Sequence, residues 1–160
     1  MKILIAYSTR SGTTAKCANL LAEKLPGATV VDLKRAIPNP NEYDAVIVGG
    51  ALRTGSVTSE TRQYLEICEP LLLKRPLGLY LCCGSEDQAE EVFQSDYAES
   101  ILAHAKCRMS FGGELDPARA KGFEKMIIKM ILKNADKNDL TNMRLYPERI
   151  DAFAKIMLDN

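Results

Sequence analysis

The sequence predicts an α/β protein built on a parallel sheet with helices on both faces. Three observations lead there. Five short runs, Lys2 to Tyr7, Ala28 to Leu33, Ala45 to Gly49, Leu77 to Cys83 and Cys107 to Phe111, are mostly continuous in apolar residues, as strands buried on both faces require. Segments with helical apolar periodicity separate these runs, giving a βαβαβ alternation. The first run then passes directly into the hydroxyl-rich stretch S-T-R-S-G-T-T, a strand-to-helix connection suited to an anion. At 160 residues the chain fits one domain with one core, and we expect residues 1–160 to form a single cofactor-binding unit.

Taken in order, the first strand ends at the stretch from Ser8 to Thr14, where Thr9, Ser11, Thr13 and Thr14 offer hydroxyls. Gly12 lets the backbone come close, so neutral donors at a helix N-terminus can surround a phosphate. Neither G-x-x-x-x-G-K-[ST] nor G-x-G-x-x-G is present, which argues against a nucleotide hydrolase loop and a dinucleotide fingerprint. A mononucleotide monophosphate fits better, with FMN the leading candidate. The plainer alternative is a turn whose Ser and Thr cap the helix. The helix expected over Thr13 to Leu25 carries Cys17, Leu20, Leu21 and Leu25 on one face, and one over Ser59 to Leu73 carries Tyr64, Leu65, Cys68 and Leu72.

Pro38 to Asn41 read as a surface connection before the third strand. At the end of the fourth strand Cys82 and Cys83 should point to opposite faces, which suits two small buried residues better than a redox pair. A helix over Tyr97 to Ala105 follows, with Ile101 and Leu102 inward; it holds His104, the one histidine, with no nucleophile pattern beside it. Gly112 and Gly113 should let the fifth strand bend past a neighbour.

Beyond that strand lies a segment a minimal five-stranded domain does not need, Pro117 to Asn134, read as a basic amphipathic helix. Phe123, Met126, Ile127, Met130 and Ile131 share a stripe, and Lys121, Lys125, Lys129 and Lys133 line one edge. The stripe either packs on the protein's own core, leaving the lysines solvated, or meets a membrane surface or partner. Pro147 opens a last helix through Ile150, Phe153, Ala154 and Met157.

The charge balance, 21 basic against 21 acidic residues, gives no field for gathering nucleic acid. No apolar stretch reaches the ~20 residues needed to cross a bilayer, and the N-terminus enters the first strand without a leader pattern, so the expected location is cytoplasmic. Five cysteines cannot all pair, and none shows metal-ligand spacing, so reduced thiols and no metal are expected.

The loop S-T-R-S-G-T-T after I-L-I-A-Y resembles the phosphate loop of flavodoxins. Further along, Y-D-A-V-I-V-G-G-A-L-R-T-G-S and F-E-K-M-I-I-K-M-I-L-K resemble a narrower branch, the flavodoxin-type protoporphyrinogen IX dehydrogenases that pass electrons to menaquinone. The resemblance implies a flavodoxin-like, doubly wound five-stranded parallel sheet of order 2-1-3-4-5, with an extra amphipathic helix after strand 5. It implies FMN as cofactor, with Thr9, Ser11, Thr13 and Thr14 on its phosphate and Arg10 and Gly12 shaping the loop. The ring would lie between Ala51, Leu52, Arg53, Thr54 and Gly55 after the third strand and Cys83, Gly84, Ser85 and Glu86 after the fourth.

The flavin carries the redox chemistry, so no catalytic acid, base or nucleophile is expected of the protein. Arg53 is the candidate contact to flavin or substrate, where its charge would raise the potential. Two functions fit: an FMN-dependent dehydrogenase moving electrons from protoporphyrinogen IX or a related reduced donor to a quinone, with peripheral membrane contact through Pro117 to Asn134 at the inner face of the cell membrane; or a soluble one-electron carrier between redox proteins.

Overall fold

The computed structural model describes residues 1–113 and 144–159, together with Met126, Lys129, Met130 and Lys133. Five strands, β1 (Ile3–Tyr7), β2 (Thr29–Asp32), β3 (Ala45–Arg53), β5 (Leu77–Cys82) and β6 (Cys107–Ser110), lie in the order β2-β1-β3-β5-β6 with every pairing parallel. Counting the parallel strands alone, this is the expected 2-1-3-4-5 arrangement. The sixth strand, β4 (Ser56–Val57), folds back antiparallel on the end of β3.

Alternation along the strands divides the core into two layers. Leu4, Ala6, Val46, Val48, Leu77, Leu79 and Leu81 face one cluster, covered by α2 (Ser59–Leu72), α3 (Glu86–Asp96) and α4 (Glu99–His104). Ile3, Ile5, Ala45, Ile47, Tyr80 and Cys82 face the other, covered by α1 (Thr13–Lys24) and α5 (Pro147–Leu158). β1 and β3 are buried on both faces because each has a strand on either side and helices above and below. Each fully buried Leu or Ile in them contributes about 1.5 to 3 kcal/mol. Tyr80 stacks on Phe111 at 4.7 Å between centroids, and Phe153 of α5 meets both rings edge-on. Gly49 on the neighbouring strand makes room for this tyrosine, since a Cβ there would lie 2.1 Å from Tyr80 Cζ.

Several expectations need correction in detail. β3 continues to Arg53 rather than ending at Gly49, because pairing with β4 extends it beyond the sheet. α3 was not anticipated, yet its start is well specified: Ser85 Oγ accepts the Gln88 N–H at 3.1 Å, Glu86 and Asp87 occupy the first turn, and Ala89, Val92 and Phe93 are buried. The helix expected from Tyr97 is the shorter α4, with Tyr97 itself closing α3. Cys82 and Cys83 do point to opposite layers. Gly112, at φ 85°, bends the chain as expected: a Cβ there would lie 2.0 Å from the Arg144 carbonyl oxygen, and a bridge joins Gly112 to Leu145. The helix expected over Pro117 to Asn134 lies outside the described residues except at Met126, Lys129, Met130 and Lys133, which are helical and exposed.

Candidate functional site

Because the strands are parallel, the segments leaving β1, β3 and β5 emerge along one sheet edge, and β1 beside β3 is where the chain reverses its direction of progress. Open α/β sheets take ligands in the crevice at such a point.

The loop after β1 is anchored at its base by Ser8, which is fully buried. Its N–H donates to the Gly49 carbonyl at 3.2 Å, its Oγ bonds Thr61 Oγ1 at 2.6 Å and also Thr58 Oγ1, and Thr61 in turn donates to the Gly49 carbonyl at 3.0 Å. Ser8 is therefore a structural hydroxyl tying β1, β3 and α2 together, outside the set Thr9, Ser11, Thr13 and Thr14 expected to meet a ligand. Beyond it, the Gly12 N–H donates to Thr9 Oγ1 at 2.9 Å, and Gly12 starts α1 with φ 97°, a left-handed conformation that costs glycine little. The residue at the start of α1 is Gly12, which has no side chain to cap the helix, and Thr9 supplies the hydroxyl that accepts its N–H.

Thr13 and Thr14 are buried at the helix start, while Ser11 is half-buried and Arg10 exposed. Tyr80 donates to the Thr14 carbonyl at 3.0 Å, fixing where the loop enters α1. The Thr14 hydroxyl is buried and has no well-directed partner, with only the Cys82 thiol alongside. That thiol is pushed up by its contact with Cys17 and by burial, so it is neutral and a weak partner. A buried orphan hydroxyl costs about 1 to 3 kcal/mol, while Thr9 and Ser11 beside it are only half-buried and offer hydroxyls at the helix start. The loop's donor set therefore fits a phosphate.

The second segment is not an open loop but a hairpin. Leu52 pairs with Val57 and Arg53 with Ser56, and Thr54 (φ 51°) and Gly55 (φ 81°) form its two-residue turn, the left-handed pair that suits a tight hairpin. Thr54 is β-branched in a conformation such residues avoid, and its hydroxyl donates to the Arg53 carbonyl at 2.8 Å. Ala51 is buried, Leu52 half-buried, and Arg53 to Gly55 are exposed at the tip. The hairpin's free strand is held from outside by Asp96 at the end of α3, whose Oδ2 accepts the Val57 N–H at 2.7 Å. Among the described residues Arg53 forms no ion pair.

The third segment is partly committed to structure. Cys83 Sγ bonds the Ser85 carbonyl at 3.2 Å and Ser110 Oγ at 3.5 Å, and burial pushes its thiol up despite these bonds. Ser85 caps α3, and Glu86 pairs with Arg149, which also donates to the Ser110 carbonyl at 3.0 Å and lies 4.1 Å from the Tyr146 ring. Gly84 is exposed with open space where a Cβ would be. A groove of about 540 Å³ lies next to this corner between α3, β6 and α5, but its cations Arg108 and Arg149 are already matched by Glu90 and Glu86. His104 Nε2 contacts the Arg75 carbonyl at 2.6 Å, a packing role distant from the edge.

A hydroxyl loop, a hairpin and a helix-capping loop brought to the switch point of a doubly wound sheet place this chain among the α/β proteins that use this edge for ligands. The chain belongs to the flavodoxin domain family, which matches residues 4–142. It is similar to the protoporphyrinogen IX dehydrogenase (quinone) of Escherichia coli strain K12, at 26% identity over 144 residues, covering 83% of this chain and 80% of that one. Among solved structures, the flavodoxin of Streptococcus pneumonia TIGR4 superposes with a TM-score of 0.57 at 14% identity, covering 98% of this chain and 97% of that one. The Fusobacterium nucleatum flavodoxin bound to flavin mononucleotide gives 0.56 at 12% identity, covering 96% and 95%. At such identities the solved structures establish the fold.

Proposed function

We propose that the chain is an FMN-dependent oxidoreductase that oxidises protoporphyrinogen IX, or a related reduced donor, and passes the electrons to a quinone. The observation that carries the FMN reading is the hydroxyl-rich Thr9 to Thr14 loop, which leads from β1 into the start of α1 at the switch point of the sheet. The similarity to the E. coli dehydrogenase over 83% of this chain supports the choice of substrate. When bound, FMN supplies the electron and hydride chemistry.

The chain's own residues hold and tune it. Thr9, Ser11, Thr13 and Thr14 take the phosphate, with Arg10 and Gly12 shaping the loop. The ring is taken between the hairpin Ala51, Leu52, Arg53, Thr54 and Gly55 and the corner Cys83, Gly84 and Ser85. Glu86 completes that corner, where Arg149 pairs with its carboxylate. Arg53, exposed at the hairpin tip, places positive charge where reduction leaves negative charge, which raises the potential.

A quinone acceptor places the reaction at a bilayer, and no helix among the described residues is long and apolar enough to cross one. Peripheral contact is the proposed route. Met126 and Met130, one turn apart, are 53% and 59% exposed, and Lys129 and Lys133 are exposed with them, the pairing of apolar and basic groups that an anionic surface attracts. A second reading, a soluble one-electron carrier, is favoured by the acidic surface of α3, where Asp87, Glu90 and Glu91 line a shallow groove suited to a basic protein partner.

Anaerobic mixing of the FMN-loaded protein with protoporphyrinogen IX, followed by a menaquinone analogue, tests the proposal. Bleaching of the flavin by the donor and its recovery with the quinone is the expected result. A flavin that ignores both yet exchanges electrons rapidly with a redox protein would overturn the enzyme and leave the carrier.

A further inference from the structure

The loop after β1 offers neutral hydroxyls and one arginine of its own, Arg10, and a further cation is built onto it from another strand. β2 pairs with β1 up to Tyr7 and Asp32, and the Leu33 N–H donates to the Tyr7 carbonyl at 2.8 Å, so the turn after β2 lies beside the loop. Asp32 fixes that turn: its Oδ1 accepts the Lys34 N–H at 2.9 Å, and its carbonyl accepts from Arg35 at 2.9 Å and Ala36 at 3.2 Å. The Lys34 side chain then reaches back, and Nζ donates to the Thr9 carbonyl at 2.7 Å. Thr9 is the residue whose hydroxyl receives the Gly12 N–H, so the ammonium grips the same residue that shapes the loop.

An ammonium has three donors, and Thr9 uses one. A phosphate monoester carries between about one and a half and two negative charges at neutral pH, and neutral hydroxyls supply hydrogen bonds without countercharge. We propose that Lys34 is a specificity-determining residue, supplying countercharge to the phosphate and pinning Thr9, so that the site selects a phosphorylated flavin over riboflavin. This rests on the flavin reading above. Asp32, the carboxylate on the same turn, accepts the Lys34 N–H through Oδ1 and has Arg35 Nε 3.9 Å from its Oδ2.

The test is titration of the apoprotein with FMN and, separately, with riboflavin, following flavin fluorescence at low and high salt, for wild type, K34Q and K34R. At low salt K34Q should weaken FMN by about three- to tenfold and leave riboflavin within about twofold, the scale of one partly exposed charge. K34R should retain most of the FMN affinity, and high salt should shrink the gap between wild type and K34Q. Equal weakening of both flavins, or unchanged FMN affinity in K34Q, would overturn the role of Lys34. A wild-type protein that binds neither flavin would instead overturn the flavin reading.

Discussion

The loop after β1 and the hairpin after β3 sit side by side on one sheet edge, yet they are held in opposite ways. The loop is locked from beneath by buried groups: Ser8 against Gly49, Thr58 and Thr61, and Tyr80 on the Thr14 carbonyl. The hairpin leaves the sheet, exposes Arg53, Thr54 and Gly55, and depends on one carboxylate, Asp96, for its outer strand. A rigid, hydroxyl-lined loop suits holding a phosphate in one geometry, whereas an exposed tip carrying a cation suits adjusting the chemistry next to it. Under the proposed function the difference separates affinity from tuning, and each region can be disturbed alone.

The largest effect should come from Gly49→Ala. Its Cβ would overlap the Tyr80 ring, and Tyr80 cannot move without releasing Thr14 and the stack on Phe111. We expect a loss of about 2 to 4 kcal/mol in chemical denaturation, with weakened FMN binding in the fraction that folds. Next, Ser11→Ala and Thr14→Ala should each weaken FMN by about 1 to 3 kcal/mol in fluorescence titrations. Thr14→Ala should cost little stability, because its hydroxyl has no good partner to lose.

Asp96→Ala leaves the Val57 N–H without its acceptor, so the hairpin should loosen by about 1 to 2 kcal/mol. Faster hydrogen exchange at Val57, with the loop after β1 unchanged, is the expected signature. Exchange that rises equally in both regions would remove the distinction between them.

A smaller, pH-dependent effect falls on the buried thiols of β6 and the end of β5. Burial pushes the Cys107 thiol up to about 11 and raises Cys83 in the same direction. A raised folded-state value means the stabilisation is complete below the ordinary thiol range and is lost as pH climbs through the folded value. Denaturation midpoints should thus be flat near neutrality and fall between about pH 9 and 11, less steeply in Cys107→Val.

How much of this was legible follows from where the partners lie along the chain. The loop's donors are contiguous from Thr9 to Thr14 after an apolar run, so both its position and its chemistry could be read directly. The strand order follows from five apolar runs and the flavodoxin resemblance. The hairpin was hidden, because Thr54-Gly55 lacks the Asn-Gly or Asp-Gly signal of a tight turn and the Gly49-Gly50 pair reads as a strand end. Gly50 is in fact required inside the strand, where a Cβ would lie 2.6 Å from Val57 Cγ2. Asp96 and Lys34 act on residues 39 and 25 positions away, and no local pattern reports such contacts. α3 did carry a local signal, Ser85 followed by Gln88 and the Ala89, Val92, Phe93 spacing, but its many acidic residues leave that apolar face short and interrupted.

The division of labour between loop and hairpin is tested most directly by measuring, for Ser11→Ala and Arg53→Ala in parallel, the dissociation constant of oxidised FMN and the two-electron potential of the bound flavin. Ser11→Ala should weaken FMN by about 1 to 3 kcal/mol with the potential unchanged. Arg53→Ala should lower the potential while changing the affinity for oxidised FMN by less than about 1 kcal/mol. An Arg53→Ala protein with an unaltered potential, or a Ser11→Ala protein with full affinity, would contradict it.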